Sequence, residues 1–141
     1  YLHSVGLTGT KFGCWEGGCG ACTVMVSPRD PATGEAVHRP VNSCLRPLVA
    51  VDGSMVTTTE GIGNVHDGLD PTQFCIAKNN GTQCGFCTPG ILTTVKVFLE
   101  QNPNPSEDEI REALSGNLCR CTGYQHIVDA VHLAAEKSRA R

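Results

Sequence analysis

Hydrophobic and polar positions follow two different patterns along the chain, and the first half has the pattern of strands and turns. Residues 23–26 form a short β-branched and apolar run, which predicts a strand. Residues 48–51 and 54–58 are two further runs, and the Asp-Gly pair at 52–53 between them predicts a hairpin with a tight turn. Residues 28–40 are rich in turn-forming residues and predict a loop or a β-excursion.

The second half has apolar residues at the spacing of an α-helix, and four short helices are predicted there. Their starts are indicated by capping residues and prolines: Asp70-Pro71, Thr88-Pro89, the capping-box pair Ser106 and Glu109, and Thr122-Gly123. Gly81 and Pro103 are expected to end the first and second of these helices. Short helices that share apolar faces pack as a small bundle. The boundary between the halves is expected near residues 64–67.

Cysteine is the residue type that changes this picture most. The chain has nine cysteines in 141 residues, and two small halves with thin cores need a staple, either disulfides or metal. An odd number of cysteines argues against a closed set of disulfides. No secretory signal peptide is visible, so a reducing compartment, the cytoplasm, is expected. In that compartment a cysteine-rich pattern predicts metal binding.

Charge and hydropathy argue against two classes of function. The formal net charge is −3, and the basic residues are scattered apart from a short cluster in the last five residues. This distribution predicts no nucleic-acid-binding surface. The chain has no apolar run near 18 residues, so no membrane span is predicted.

The first set of cysteines has the spacing of a plant-type 2Fe–2S site. Cys14, Cys19 and Cys22 stand as C-x4-C-x2-C, and Cys44 follows after the first predicted strand and the loop. Three thiolates on one loop can surround most of a cluster, and glycines let the loop turn its N–H groups inward. A structural zinc site is the alternative, but zinc sites normally use two pairs of ligands.

The second set consists of two pairs, a C-x2-C pair and a C-x-C pair. These are Cys84 and Cys87, and Cys119 and Cys121. Each pair lies directly before a predicted helix, so the partial positive charges of both helix N-termini would favour thiolates and an anionic cluster. On spacing alone, zinc and an iron–sulfur cluster both fit this set. Cys75 stands apart from both sets, and a buried apolar role in the first predicted helix is expected for it.

Five segments together resemble the iron–sulfur region of the molybdenum hydroxylases. This is the family of xanthine dehydrogenase, xanthine oxidase and aldehyde oxidase, and of the small subunits of bacterial carbon monoxide and nicotinate dehydrogenases. The segments are GLTGTKFGCWEGGCGACTV, VNSCL, TTTEGIG, QCGFCTPG and GNLCRCTGY. The resemblance covers nearly the whole chain, and it argues against zinc at either site.

The resemblance implies an α+β fold with two domains. Residues 1–64 would form a β-grasp 2Fe–2S ferredoxin-like domain that lacks its first strands, and residues 65–141 a four-helix 2Fe–2S-binding bundle. The cluster nearer FAD would be held by Cys14, Cys19, Cys22 and Cys44. The cluster nearer molybdenum would be held by Cys84, Cys87, Cys119 and Cys121.

The resemblance also implies a reaction and partners. Gln83 and Cys121 would contact the pterin of a molybdenum cofactor on another domain or subunit. That enzyme would hydroxylate a heterocycle or an aldehyde with oxygen from water. Electrons would leave the molybdenum centre, pass through both clusters to FAD, and reach NAD, dioxygen or a quinone. This chain would therefore carry electron transfer alone and hold no substrate site.

Trp15 departs from the family pattern, because most relatives have glycine at this position of the cysteine loop. If the position requires a positive φ, tryptophan is unfavourable there. Its side chain could cover the cluster from water or contact a partner. Two other functions are left open: a stand-alone ferredoxin with two clusters, and a zinc-binding structural module.

Overall fold

The computed structural model describes residues 1–140, and its first half is built on a small antiparallel sheet. The sheet has the order β2–β1–β3. Its strands are β1 (Thr23–Ser27), β2 (Arg39–Asn42) and β3 (Met55–Thr57). Short 3₁₀ helices cover His3–Val5, Ser43–Leu45 and Leu48–Val51. The sheet is followed by five helices: α1 (Thr59–Ile62), α2 (Pro71–Lys78), α3 (Thr88–Gln101), α4 (Glu107–Ala113) and α5 (Gln125–Arg139).

The central strand β1 confirms the strand predicted at 23–26, and all five of its residues are buried. Helix α3, from the second half, packs against it. Val24 and Val26 share a face of the strand because side chains alternate, and they line an apolar pocket with Leu2 and Phe12. The sheet therefore connects the first half to the helices.

The hairpin predicted over residues 48–58 is wrong in its first arm. Residues 48–51 form a 3₁₀ helix, and β3 pairs with β1 instead. Asp52 (φ −56°, ψ 137°) and Gly53 (φ 69°) have the backbone angles of a type II turn. The twist of that turn does not suit a two-residue hairpin. The segment 28–38 is an excursion closed by a bridge between Arg29 and Ala36, as expected, whereas 39–40 belong to β2.

The helical half has an apolar core to which α2, α3, α4 and α5 all contribute. The apolar face predicted on α5 is confirmed, since Ile127 and Val131 are fully buried. Cys75 is 4% exposed and lies in this core, which confirms the role expected for it. The capping box of Ser106 and Glu109 is present as predicted. No helix within residues 1–140 combines the length and hydropathy needed to cross a membrane.

Three predicted helix ends need correction. Helix α3 begins at Thr88 itself, so Thr88 is not its N-cap. Helix α5 begins at Gln125, because Tyr124 has a left-handed backbone (φ 69°) that separates Thr122 from the helix. Helix α2 ends at Lys78, and Asn80 rather than the predicted Gly81 takes the left-handed conformation after it. The two cysteine pairs of the second set therefore do not precede their helices in the same way.

Candidate metal centres

The first cysteine loop directs backbone N–H groups at one sulfur. The N–H groups of Glu16, Gly18 and Cys19 lie 3.5, 3.3 and 3.4 Å from Cys14 Sγ. Gly17 adopts φ 77° within this turn, a conformation that glycine tolerates. The N–H groups, that of Glu16 foremost, lower the pKa of the Cys14 thiol to about 7. The loop is thus arranged to hold negative charge on this sulfur.

Cys22 and Cys44 are brought together by the pairing of β1 with β2. Cys22 directly precedes β1, and Cys44 lies in the 3₁₀ helix after β2. The backbone N–H and hydroxyl of Ser43 both donate to the carbonyl of Cys22, at 3.2 and 2.7 Å. The two thiols contact each other, and burial, followed by this contact, raises the pKa of Cys44. Cys14 is close enough to Cys44 to repel its negative charge.

The second set forms two contacting pairs, an inner one and an outer one. Cys87 and Cys119 are buried and contact each other, whereas Cys84 and Cys121 are exposed and contact each other. Burial, and then the Cys119 thiol, raises the pKa of Cys87 to about 12. The hydroxyl of Thr122 lies 3.1 Å from Cys119 Sγ. Burial would raise the pKa of Cys119, but hydrogen bonds, led by that of Thr122, outweigh burial and lower it.

Each set offers four thiols and no other donor type, and this all-sulfur character fits a 2Fe–2S cluster. The N–H groups around Cys14 also suit an anionic group. Within residues 1–140, no three histidine, cysteine or acidic side chains converge on a position for a single metal ion.

The two sets share one cavity of about 350 Å³. Cysteines of both sets line it: Cys14, Cys19, Cys84, Cys87, Cys119 and Cys121. Phe86, which stands between the cysteines of the C-x2-C pair, reaches toward the first loop. A methyl group placed on Gly13 would lie 3.0 Å from Cys19 Sγ and 3.4 Å from the Phe86 ring. The two sets are therefore neighbours in space.

A junction of backbone and side-chain contacts holds the two cysteine loops together. The N–H of Leu118, one residue before Cys119, donates to the carbonyl of Cys19 at 2.8 Å. The side chain of Asn117 donates to the carbonyl of Gly20 at 3.1 Å. The backbone of Gly90 approaches the same carbonyl so closely that any side chain there would collide with it. We define these residues, Cys19, Gly20, Gly90, Asn117 and Leu118, as the inter-loop junction.

Sequence reasoning did not identify Gly90, Asn117 or Leu118 of this junction, or the hydroxyl of Tyr124. Tyr124 bonds the backbone at Asn117 and Cys119. Asn117, Leu118 and Tyr124 appeared in the sequence as parts of the segment GNLCRCTGY, without individual roles. The available signal was Gly123 followed by Tyr124. Glycine is typical of turns, so this pair could have been interpreted as a turn instead of the start of a helix.

Gln83 and Cys121, the residues expected at a pterin, are both exposed. They lie on two loops that meet where the thiols of Cys84 and Cys121 contact each other. The outer pair of the second set and Gln83 therefore lie close together at the surface.

Trp15 has φ 59°, so the position does have a positive φ. This is the conformation in which tryptophan is unfavourable. Its indole is 63% exposed. The ring stacks on Phe12, with centroids 4.6 Å apart and planes inclined by 23°. His3 packs against the same phenylalanine. Trp15 thus extends an aromatic stack along the surface beside Cys14.

Two family models match the chain. Residues 1–48 match a 2Fe-2S iron-sulfur cluster binding domain, and residues 58–132 match a [2Fe-2S] binding domain. Among solved structures, the aldehyde oxidoreductase of Desulfovibrio gigas aligns with a TM-score of 0.87 and 37% identity, over 99% of this chain and 14% of that one. Quinoline 2-oxidoreductase of Pseudomonas putida 86 aligns with a TM-score of 0.83 and 43% identity, over 96% of this chain and 78% of that one.

Similar proteins bear the same names as the family suggested by the motifs. Aldehyde oxidase 1 of Cavia porcellus is 56% identical over 124 residues, which is 88% of this chain and 9% of that protein. Xanthine dehydrogenase 1 of Arabidopsis thaliana is 53% identical over 141 residues, 99% of this chain and 10% of that protein. The chain thus spans about a tenth of the length of these relatives. It belongs to the [2Fe-2S] binding domain family, as the iron–sulfur region of xanthine dehydrogenase and aldehyde oxidase-type proteins.

Proposed function

We propose that this chain passes electrons, one at a time, between two 2Fe–2S clusters inside an oxidoreductase of the xanthine dehydrogenase and aldehyde oxidase type. The first cluster would be held by Cys14, Cys19, Cys22 and Cys44, and the second by Cys84, Cys87, Cys119 and Cys121. A bound 2Fe–2S cluster supplies a site that accepts and releases a single electron. The protein's part is to hold two such sites close together and to set their potentials.

The hydrogen bond from Leu118 N–H to the Cys19 carbonyl is the observation that carries this proposal. Cys19 is a proposed ligand of the first cluster, and Leu118 is covalently bonded to Cys119, a proposed ligand of the second. One hydrogen bond of 2.8 Å thus links the backbone of one proposed ligand to the residue next to another. Such a connected route couples two redox sites better than the same distance through space. The geometry suits electron transfer, and the same hydrogen bond also holds the two cysteine loops together.

The surroundings of the two sets favour electron flow from the second to the first. Three N–H groups directed at Cys14 stabilise added negative charge, which favours the reduced state of the first cluster. Two proposed ligands of the second cluster, Cys87 and Cys119, lie in the apolar core of the helical half, where added charge is disfavoured, whereas Cys22 alone is buried in the first set. We therefore expect the first cluster to have the higher reduction potential. A potentiometric titration followed by EPR measures both potentials, and a higher value at the second cluster would reverse the proposed direction.

That direction agrees with flow from a molybdenum–pterin centre to FAD. Gln83 and Cys121 are both exposed, so we place the pterin against them, and FAD on the side of the first cysteine loop. The whole enzyme would hydroxylate a heterocycle or an aldehyde, with NAD, dioxygen or a quinone as final acceptor. Residues 1–64 would form the β-grasp ferredoxin-like domain, and residues 65–141 the four-helix cluster-binding bundle.

Anaerobic iron and acid-labile sulfide analysis, with low-temperature EPR of the dithionite-reduced protein, tests the proposal. Two 2Fe–2S clusters require four irons and four sulfides per chain, with two distinct signals. Zinc without sulfide would overturn the electron-transfer function and leave a structural module. One cluster alone would overturn the relay.

A further inference from the structure

Tyr124 has a strained backbone for its residue type. Its φ is 69°, and it directly follows Gly123, whose φ is 70°. Bulky residues rarely adopt this left-handed conformation, and they keep it only where the surrounding contacts hold them. Tyr124 is the N-cap residue of α5, and its carbonyl accepts from the N–H groups of Ile127 and Val128, but its side chain forms no cap on the helix. The start of the helix thus accounts for the Tyr124 backbone and leaves the role of its side chain to be explained.

The hydroxyl of Tyr124 makes two hydrogen bonds to the backbone of the second cysteine loop. It accepts from the N–H of Cys119 at 2.7 Å and donates to the carbonyl of Asn117 at 3.0 Å. The single hydroxyl proton is thus committed to Asn117, and a lone pair to Cys119. The ring packs against the apolar core of the helical half. Tyr124 therefore fixes both ends of the segment 117–119 from the helical side.

The opposite side of the same segment contacts the first cysteine loop. Leu118, between the two residues held by Tyr124, donates its N–H to the carbonyl of Cys19. The Asn117 side chain, which is 3% exposed, donates to the carbonyl of Gly20. Two backbone groups bond the Tyr124 hydroxyl, those of Asn117 and Cys119. Asn117 itself bonds the first loop, and Cys119 is covalently attached to Leu118, which does so.

We propose that Tyr124 is a positioning residue for electron transfer between the two clusters. Its hydroxyl holds segment 117–119 so that Leu118 N–H meets the Cys19 carbonyl and Cys119 keeps its orientation. This inference rests on the proposed function, since it requires both clusters. Tyr124 is not a catalytic residue, because it acts through Cys119 and Leu118.

A merely structural role predicts a different outcome from a positioning role. If Tyr124 has only a structural role, removing its hydroxyl would lower the stability of the helical half. The EPR signal of a fully loaded second cluster would then be unchanged. A positioning residue would change that signal and the rate of electron exchange between clusters, at full iron content. The variant Tyr124→Phe separates the two roles, because it keeps the ring and the backbone strain and removes only the hydroxyl.

The chain offers a matched control in its other tyrosine, Tyr1, whose side chain is 73% exposed. The holoproteins of Tyr124→Phe and Tyr1→Phe are compared with the parent for iron and sulfide content and for the EPR signals of both clusters. Flash photoreduction then measures the rate at which an electron redistributes between the clusters. Amide hydrogen exchange over residues 117–119 measures how firmly the segment is held.

For Tyr124→Phe we expect full iron content, an unchanged first-cluster signal, a shifted second-cluster signal and a slower redistribution. Amide exchange of the segment should rise on the order of tenfold, the factor that corresponds to the loss of about 1.4 kcal/mol of hydrogen bonding. Tyr1→Phe should match the parent in every measurement. Parent-like signals and rate in Tyr124→Phe would overturn the inference while the proposed function stands.

If Tyr124→Phe cannot retain iron, replacement of Tyr124 by 3-fluorotyrosine tests the same inference. It preserves the ring and the hydroxyl, but its more acidic hydroxyl donates more strongly to Asn117 and accepts more weakly from Cys119. The second-cluster signal should then shift at full iron content, and the first should not. An unshifted second signal would overturn the inference. A parent protein without clusters would instead overturn the proposed function, and this inference with it.

Discussion

The side-chain amide of Asn117 donates a hydrogen bond to the carbonyl oxygen of Gly20 at 3.1 Å, across 97 positions of the sequence. This contact joins the loop before the C-x-C pair to the loop that holds the first cysteine set. Gly20 also accepts hydrogen bonds from the backbone N–H and the hydroxyl of Thr23. The Gly20 carbonyl therefore accepts hydrogen bonds from both halves of the chain, from Thr23 in the first and Asn117 in the second.

Replacing Asn117 by alanine is expected to lower the free energy of unfolding by about 1–2 kcal/mol, because a buried hydrogen bond and its packing are lost. The cost stays moderate because Thr23 still satisfies the Gly20 carbonyl. Urea unfolding of the iron-loaded protein measures it. Asn102→Ala is the matched control, since Asn102 bonds Glu109 at an exposed site. Equal effects of the two variants would show that the junction contributes no special stability.

Any side chain at position 90 is expected to lower the stability of the protein. Gly90 lies in the first turn of α3, with its backbone against the Gly20 carbonyl. Gly90→Ala should force the two loops apart, weaken the Leu118–Cys19 hydrogen bond and lower stability by about 1–3 kcal/mol, the usual cost of overpacking. Thermal unfolding and the EPR signals of both clusters report these effects.

Gly116→Ala provides the control for this variant, because a methyl group at Gly116 would meet open space. It is expected to retain both clusters and parent-like stability. A Gly90→Ala protein indistinguishable from Gly116→Ala would mean that the loops are not held as closely as the junction requires.

Cys44→Ser is expected to remove the first cluster and leave the second in place. Cys44 contacts Cys22 and does not line the cavity that contains the second set. Iron content should fall by half, and one of two EPR signals should vanish. If both signals persist unchanged, the ligand assignment in the first half is wrong.

Cys75→Ser serves as the comparison for Cys44→Ser. Cys75 lies in the apolar core outside both cysteine sets, so both clusters should remain. A buried hydroxyl without a ready partner should lower stability by about 1–3 kcal/mol. Loss of cluster signals in Cys75→Ser would contradict the proposed division of the nine cysteines.

Trp15→Gly is expected to keep both clusters bound, because Trp15 contributes its conformation but no sulfur to the loop. Glycine relieves a left-handed strain of about 1–3 kcal/mol, while the lost stack on Phe12 costs about 0.5–1.5 kcal/mol. Stability should therefore be equal to the parent or slightly higher by denaturant unfolding. Loss of iron in this variant would show instead that the indole is required for the loop to hold its cluster.

Two effects act at Trp15: its stack on Phe12 stabilises the protein, and its positive φ destabilises it. Phe12→Leu separates them, because it removes the stack and leaves the backbone strain in place. This variant should be less stable than Trp15→Gly. The reverse order would mean that the stack with Phe12 contributes little and that other contacts hold Trp15 in its conformation.

Local patterns in the sequence were sufficient for several elements. The strand at 23–26, the capping box of Ser106 and Glu109, and the buried face of α5 depend on neighbouring residues, and the structure confirms them. The two cysteine sets were also recognisable from spacing, and their role as cluster ligands stays a prediction. The physical reason is that capping, periodicity and ligand spacing act over a few residues.

Only the tertiary structure decided how the two halves meet. The partner of β3 is β1 rather than residues 48–51, and helix α5 begins after Tyr124 rather than at Thr122. The junction of Asn117 and Leu118 with the first cysteine loop depends on residues far apart in sequence. No local propensity encodes such contacts, because they form only when α3 packs on the sheet and brings Gly90 against Gly20. The sequence by itself therefore determined the spacing that makes these cysteines candidate cluster ligands, and packing between the halves determined that the two sets are neighbours.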